Sequence, residues 1–181
     1  MRFITAVGVV VLISAPAFAD VASGPKAGDK VAKLPVYATT GDSKEKDLDI
    51  AEARKDKPTV YVFIQGEHFS RPMAQFLRKL DETLPEISED AQQVVVLLSD
   101  NVDMWKDRLP KVNMSLQFKV TPLTVFTGEK TGPKDWGINV DAHLTAVVVH
   151  KGKVVQSFGY MSVNGTDAPA VTDALKKELK K

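Results

Sequence analysis

Residues 58–64, Pro-Thr-Val-Tyr-Val-Phe-Ile, form an apolar, β-branched and aromatic run with no charged residue and no polar alternation. A strand with one wet face alternates polar and apolar side chains. An unbroken run is expected where a strand is covered on both faces, as in a parallel sheet sandwiched between helices. Residues 93–98, with Val-Val-Val-Leu-Leu at their heart, and residues 145–149 repeat the pattern. Three such strands in one chain predict an α/β architecture with helices on both sides of the sheet.

Helical periodicity falls between the strands. Met73, Phe76, Leu77, Leu80 and Leu84 recur at a spacing that makes one apolar stripe. Ser70 suits the N-cap of that helix, Pro72 its first turn, and Pro85 is expected to close it. Residues 101–118 carry Met104, Trp105, Leu109, Val112 and Leu116 with Pro110 between them, which predicts a broken helix or two short ones. Residues 167–180 form the last helix, with Val171, Leu175 and Leu179 on one face. Residues 34–38 and 123–126 are short strand candidates, and residues 47–54 a short helix or loop. His150-Lys151-Gly152-Lys153 reads as a tight hairpin turn into a strand over 154–158, which leaves His150 in solvent. The expected order is β-α-β-α-β-β-α after an extended lead-in over residues 20–33.

The first 19 residues have the form of a signal peptide: Arg2, an apolar stretch over 3–13, and Ala17-Phe18-Ala19 as a small-x-small cleavage site. The apolar stretch is shorter than a bilayer-spanning helix needs. The expected mature chain is residues 20–181, one domain, exported to a periplasmic or extracellular space and free of the membrane after cleavage. Without Arg2, 23 basic residues face 23 acidic ones. That balance gives no electrostatic case for nucleic acid or a membrane surface. The lysines at 176, 177, 180 and 181 suit a helix C-terminus. The chain has no cysteine, so disulfide exchange and cysteine-based peroxide reduction are closed to it.

The predicted order, a parallel strand–helix–strand half followed by a hairpin and a helix, resembles the thioredoxin fold. Redoxins place a Trp-Cys-x-Pro-Cys motif where the first central strand meets its helix, and this chain reads Phe69-Ser70-Arg71-Pro72-Met73 there. The aromatic and the proline stand. Ser70 and Met73 occupy the places of the two cysteines. Trp136-Gly137-Ile138 resembles the Tyr-Gly-Val of TlpA-like and AhpC-like redoxins, and residues 145–155 resemble their closing hairpin. No proline stands near His143-Leu144, where the family carries its cis-proline. The resemblance implies a mixed sheet flanked by helices, without dithiol chemistry.

It also implies which residues meet. The loop after the first central strand, with Glu67 and His68, should face the loop before the third, with Asp141, His143 and Leu144. These five residues, beside the degenerate motif, are the candidate binding surface for a protein or an extended peptide. Val140-Asp141-Ala142-His143 also resembles the Asp-His loop of Sco-type copper proteins. That resemblance implies a second reading, copper or zinc held by His68 and His143, with Glu67 or Met73 as further ligands. A third reading makes Ser70 a hydrolytic nucleophile at a helix N-terminus. It lacks a Gly-x-Ser-x-Gly elbow, and a serine needs a base held by a third group. Arg71 is a candidate for recognising a carboxylate or phosphate.

Overall fold

The computed structural model describes residues 21–181; the signal-peptide reading and the cleavage point lie outside the described residues. Seven strands form one sheet in the order β2-β1-β5-β4-β3-β6-β7. In its interior lies β3 (Thr59–Gln65), the unbroken apolar run, with all seven residues buried. It pairs in parallel with β4 (Gln92–Leu98) and antiparallel with β6 (Leu144–His150). β4 pairs in parallel with β5 (Leu123–Phe126). β7 (Lys153–Tyr160) closes one edge against β6. The hairpin of β1 (Pro35–Ala38) and β2 (Lys46–Asp49) closes the other against β5.

Alternate residues of the central strands feed two cores. Val60, Val62 and Ile64 face one side, where α2 (Arg71–Ile87) and α4 (Ala168–Leu179) contribute Phe76, Leu77, Leu80, Val171 and Leu175. Tyr61 and Phe63 face the other, with Leu34, Ile50 and Trp136. Trp136 is fully buried, edges onto Tyr61 at 5.1 Å and lies 5.0 Å from Phe63, and its indole N–H donates to Lys33 O at 3.1 Å. Covering both faces is what allows the central strands to be apolar throughout.

Local sequence explains the boundaries. Asp49 caps the short helix α1 (Ile50–Arg54), accepting from Ala51 N and Glu52 N. The two-residue turn between β6 and β7 puts Lys151 and Gly152 both at positive φ, +51° and +67°, which matches the twist of the strands it joins. The lead-in, residues 21–33, crosses the β6–β7 end: Ser23 Oγ lies 2.6 Å from Thr145 Oγ1, and Gly24 N donates to Gly137 O.

Several expectations need correcting. Pro85 does not close α2, which continues to Ile87; a proline in the last turn removes one donor and leaves the turn itself intact. Pro110 does not split the next helix, and α3 (Val102–Leu116) runs through it. Residues 46–49 are a strand rather than the start of a helix. His150 ends β6 and is half-buried rather than solvated in the turn. Burial, and then the charge of Lys151, hold its imidazole below the ordinary value.

Candidate functional site

The antiparallel pairing of β3 with β6 builds the site. Ile64, near the end of β3, faces Leu144, the first residue of β6, and Gln65 N donates to His143 O at 3.1 Å. The chain leaving β3 and the chain entering β6 therefore emerge side by side. Leaving β3, the backbone makes a single 3-10 turn, Gly66–His68, and enters α2 at Arg71. Gly66 is required there, because a Cβ would stand 2.7 Å from Trp105 Nε1.

His68 and His143 then meet face to face, with ring centroids 3.5 Å apart and planes 13° from parallel. Glu67 Oε1 lies 3.7 Å from His68 Nε2. Phe69 turns edge-on to Trp105 at 5.9 Å, and the Arg108 guanidinium lies 4.7 Å over the same indole. The first turn of α3 is set by Asn101, whose Oδ1 accepts from Met104 N. Glu67, Ser70, Arg71, Pro72 and Asp141 are exposed, His68, Phe69 and His143 half-buried, and Met73 and Leu144 buried in the core. Ser70 occupies the N-cap of α2, but its side chain makes no capping bond.

The loop carrying His143 is tied down from a distance. Asn139 Oδ1 accepts from Asp141 N at 3.0 Å, its Nδ2 donates to Ala22 O, and its backbone N–H donates to Ser23 Oγ. The lead-in thus acts as a strap that fixes the second half of the site. Sequence reading missed both Ser23 and Asn139. An Asn two residues before an Asp is a visible turn signal, but nothing local indicates a partner 117 residues away.

Apolar side chains are exposed at the same end of the sheet. Among the described residues five large hydrophobic side chains are exposed, and three belong to this end of the sheet: Val140 at 56%, Met161 at 52% and Met104 at 40%. Val140 precedes His143 in the same loop. Met161 follows Tyr160, the cross-strand partner of Leu144. Met104 neighbours Trp105. Beside them lies a cleft of about 130 Å³ between Gln65, Gly66, Leu98, Asn101 and Lys130. The buried Gln65 Nε2 has no protein partner, and a polar cleft of this size has room for water. Lys130 binds Asp100 at its mouth at 2.8 Å, and that hydrogen bond and charge raise the ammonium above its ordinary range.

This geometry limits the chemistry. A metal bound by two imidazoles lies in the plane of both rings, about 2.0–2.1 Å from each nitrogen. Two near-parallel rings 3.5 Å apart have lone pairs that run alongside one another and do not converge. Among the described residues no three His, Cys, Asp or Glu side chains are grouped as a metal centre requires. A copper or zinc ion, which the Sco-like loop implies, does not fit this arrangement. Ser70 makes no hydrogen bond to either histidine among the described residues, so it lacks the positioned base of a hydrolytic nucleophile.

No family model matches the chain, and no curated protein matches it. Solved structures do. A peroxiredoxin-like protein from Aquifex aeolicus aligns with a TM-score of 0.58 at 16% identity, over 88% of this chain and 90% of that one. A putative thiol:disulfide interchange protein DsbE from Chlorobium tepidum aligns at 0.59 and 16% identity, over 83% and 98%. The pneumococcal exposed lipoprotein thioredoxin Etrx1 from Streptococcus pneumoniae aligns at 0.56 and 20% identity, over 81% and 99%. These likenesses show the fold. The chain has a thioredoxin-like redoxin fold with a seven-stranded mixed sheet, and it has no cysteine. Among the described residues no helix is long and apolar enough to cross a membrane.

Proposed function

We propose that this chain is an exported, non-catalytic binding module that captures a protein or an extended peptide at the end of the sheet where a redoxin carries its thiols. The observation that carries the reading is the histidine stack: it joins the loop after β3 to the loop before β6 into one surface, with Val140, Met161 and Met104 exposed at the same end of the sheet. The absence of cysteine removes the redox step and leaves the surface. Export rests on residues 1–19, and it agrees with an alignment to a protein described as an exposed lipoprotein.

A displayed library of random peptides, selected on immobilised residues 20–181, tests the reading. Enriched peptides are expected to carry apolar and aromatic residues and to lose at least tenfold in affinity, about 1.4 kcal/mol, against Val140→Glu/Met161→Glu. Selection of no family of peptides, or binding indifferent to that double variant, contradicts it.

A further inference from the structure

At the opposite end of the sheet lies a larger cavity of about 470 Å³, a volume in the range of small-molecule sites. Five pieces of chain line it: the turn after β1 with Thr40 and Ser43, the end of α1 with Arg54, the start of β4 at Gln92, α3 at Asn113, and the approach to β5 from Phe118 to Pro122. Nothing in the degenerate redoxin motif reaches this place.

Arg54 is the unusual member. Its side chain is buried, with the residue only 9% exposed. Its guanidinium donates from Nε to Thr59 Oγ1 at 3.0 Å, from Nη1 to Gln92 Oε1 at 3.0 Å, and from Nη2 to Pro58 O and Asp90 O. Every one of those acceptors is neutral. Four of the five N–H groups are used, one Nη1–H remains, and no carboxylate forms an ion pair with the group. Asp90, the nearby acid, pairs through its carboxylate with Lys57 Nζ at 3.2 Å. A buried charge ordinarily has a counter-ion, because desolvation is costly and neutral dipoles offset it only in part. Burial accordingly lowers the Arg54 pKa from its ordinary value, with Tyr61 and Asp90 opposing.

The rest of the wall adds to this. Lys57 and Lys119 also line the cavity, and the one acid among the lining residues is Asp42. The Thr40 hydroxyl oxygen accepts from Leu123 N, which leaves its hydrogen to give. Phe118, Val120 and Ile50 supply apolar wall. A cavity with a buried arginine that has no carboxylate partner, an exposed Lys119 and a free Thr40 hydroxyl hydrogen suits a small anion that also carries a hydrogen-bond acceptor.

We propose that this cavity binds a small hydroxylated organic anion, its oxyanion facing Arg54 and Lys119 and its hydroxyl oxygen accepting from the Thr40 hydroxyl. The shared chemistry is the oxyanion, so the head group is either a phosphate or a carboxylate. This site is separate from the histidine surface, and its failure leaves the peptide-capture reading untouched.

Three probes with one carbon skeleton separate the terms: glycerol 3-phosphate, glycerate and neutral glycerol, each titrated into isotope-labelled residues 20–181 and followed by amide resonances. At least one anion is expected to shift the amides of residues 40–43 and 118–121 saturably, and glycerol to shift none of them. Phosphate and carboxylate sources are told apart by which anion binds more tightly. Lys119→Glu is expected to weaken binding at least fivefold and Lys119→Arg to retain it. Lys119 is exposed, and its structural bond to Asp81 is made by the backbone, so the variant folds independently of the outcome. Glycerol binding as well as the anions, no saturable shift with either anion, or equal affinity in Lys119→Glu would overturn the proposal.

Discussion

At the scale of single residues, the site depends on side chains that sit where only one size or charge state fits. Gly66 faces the Trp105 indole so closely that an alanine Cβ would overlap it. Gly66→Ala is expected to cost about 1–3 kcal/mol, as overpacking does, and to shift Trp105 emission; a midpoint of denaturation unchanged from wild type contradicts this. His150 gives the pH dependence. Its folded-state pKa lies below the usual 6.5, so its neutral form is favoured by folding. Its contribution is complete above pH 6.5 and is lost as the pH falls through 6.5 towards the folded value, where the unfolded chain takes the proton first. The fall in melting temperature between pH 7.5 and 5.5 is expected to be smaller in His150→Gln than in wild type. An equal or steeper fall removes the assignment.

At this scale the sequence was legible where chain path alone brings residues together. His68 and His143 flank strands that pair, so their nearness followed from the fold expected of the chain. The face-to-face stacking of their rings did not, because ring orientation is decided by side-chain packing that leaves no periodic trace. Arg54 was passed over for a similar reason: an arginine ending a five-residue helix looks like any solvated one, and its burial depends on strands distant in sequence.

At the scale of elements, one buried carboxylate holds two of them in place. Asp81, 3% exposed on the inner face of α2, accepts from Lys119 N at 2.8 Å, Val120 N at 3.1 Å and Thr121 Oγ1 at 2.5 Å. It thereby fixes the connection from α3 to β5. Its position was open to reading, since it falls four residues after Leu77 and three before Leu84, a charge within the apolar stripe. Asp81→Ala strips three donors of a charged acceptor and is expected to cost about 3 kcal/mol, measured by denaturant unfolding; a cost under about 1 kcal/mol contradicts the role given to it. The β6–β7 turn offers the opposite sign. Lys151 adopts a left-handed conformation that ordinary side chains enter at a cost. Lys151→Asn, which supplies the residue such turns favour, is expected to raise stability by about 0.5 kcal/mol; a lower melting temperature than wild type goes against it.

The strands and helices were legible because each obeys a period: unbroken apolar runs for β3, β4 and β6, a 3.6-residue stripe for α2. The errors fell at prolines and edges. Pro85 and Pro110 both lie inside helices, where packing of the apolar face outweighs one lost hydrogen bond. β2, with the sequence Lys-Asp-Leu-Asp, has no strand-like composition and is recruited by the edge of β1.

At the scale of the whole molecule, the two ends of the sheet have different characters. One end gathers the histidine pair, the degenerate motif and three exposed apolar side chains. The other holds a cavity beside a buried arginine. The fold supplies the first end by the pairing of β3 with β6. Backbone hydrogen exchange of residues 20–181, alone and with an excess of a carboxymethylated, permanently unfolded protein that offers no thiol, tests capture at that end most directly. The expected result is slowed exchange confined to residues 66–72, 139–144 and 160–163. Unchanged exchange throughout, or protection centred on residues 40–43 and 118–122 instead, would contradict a binding surface built on the old redox site.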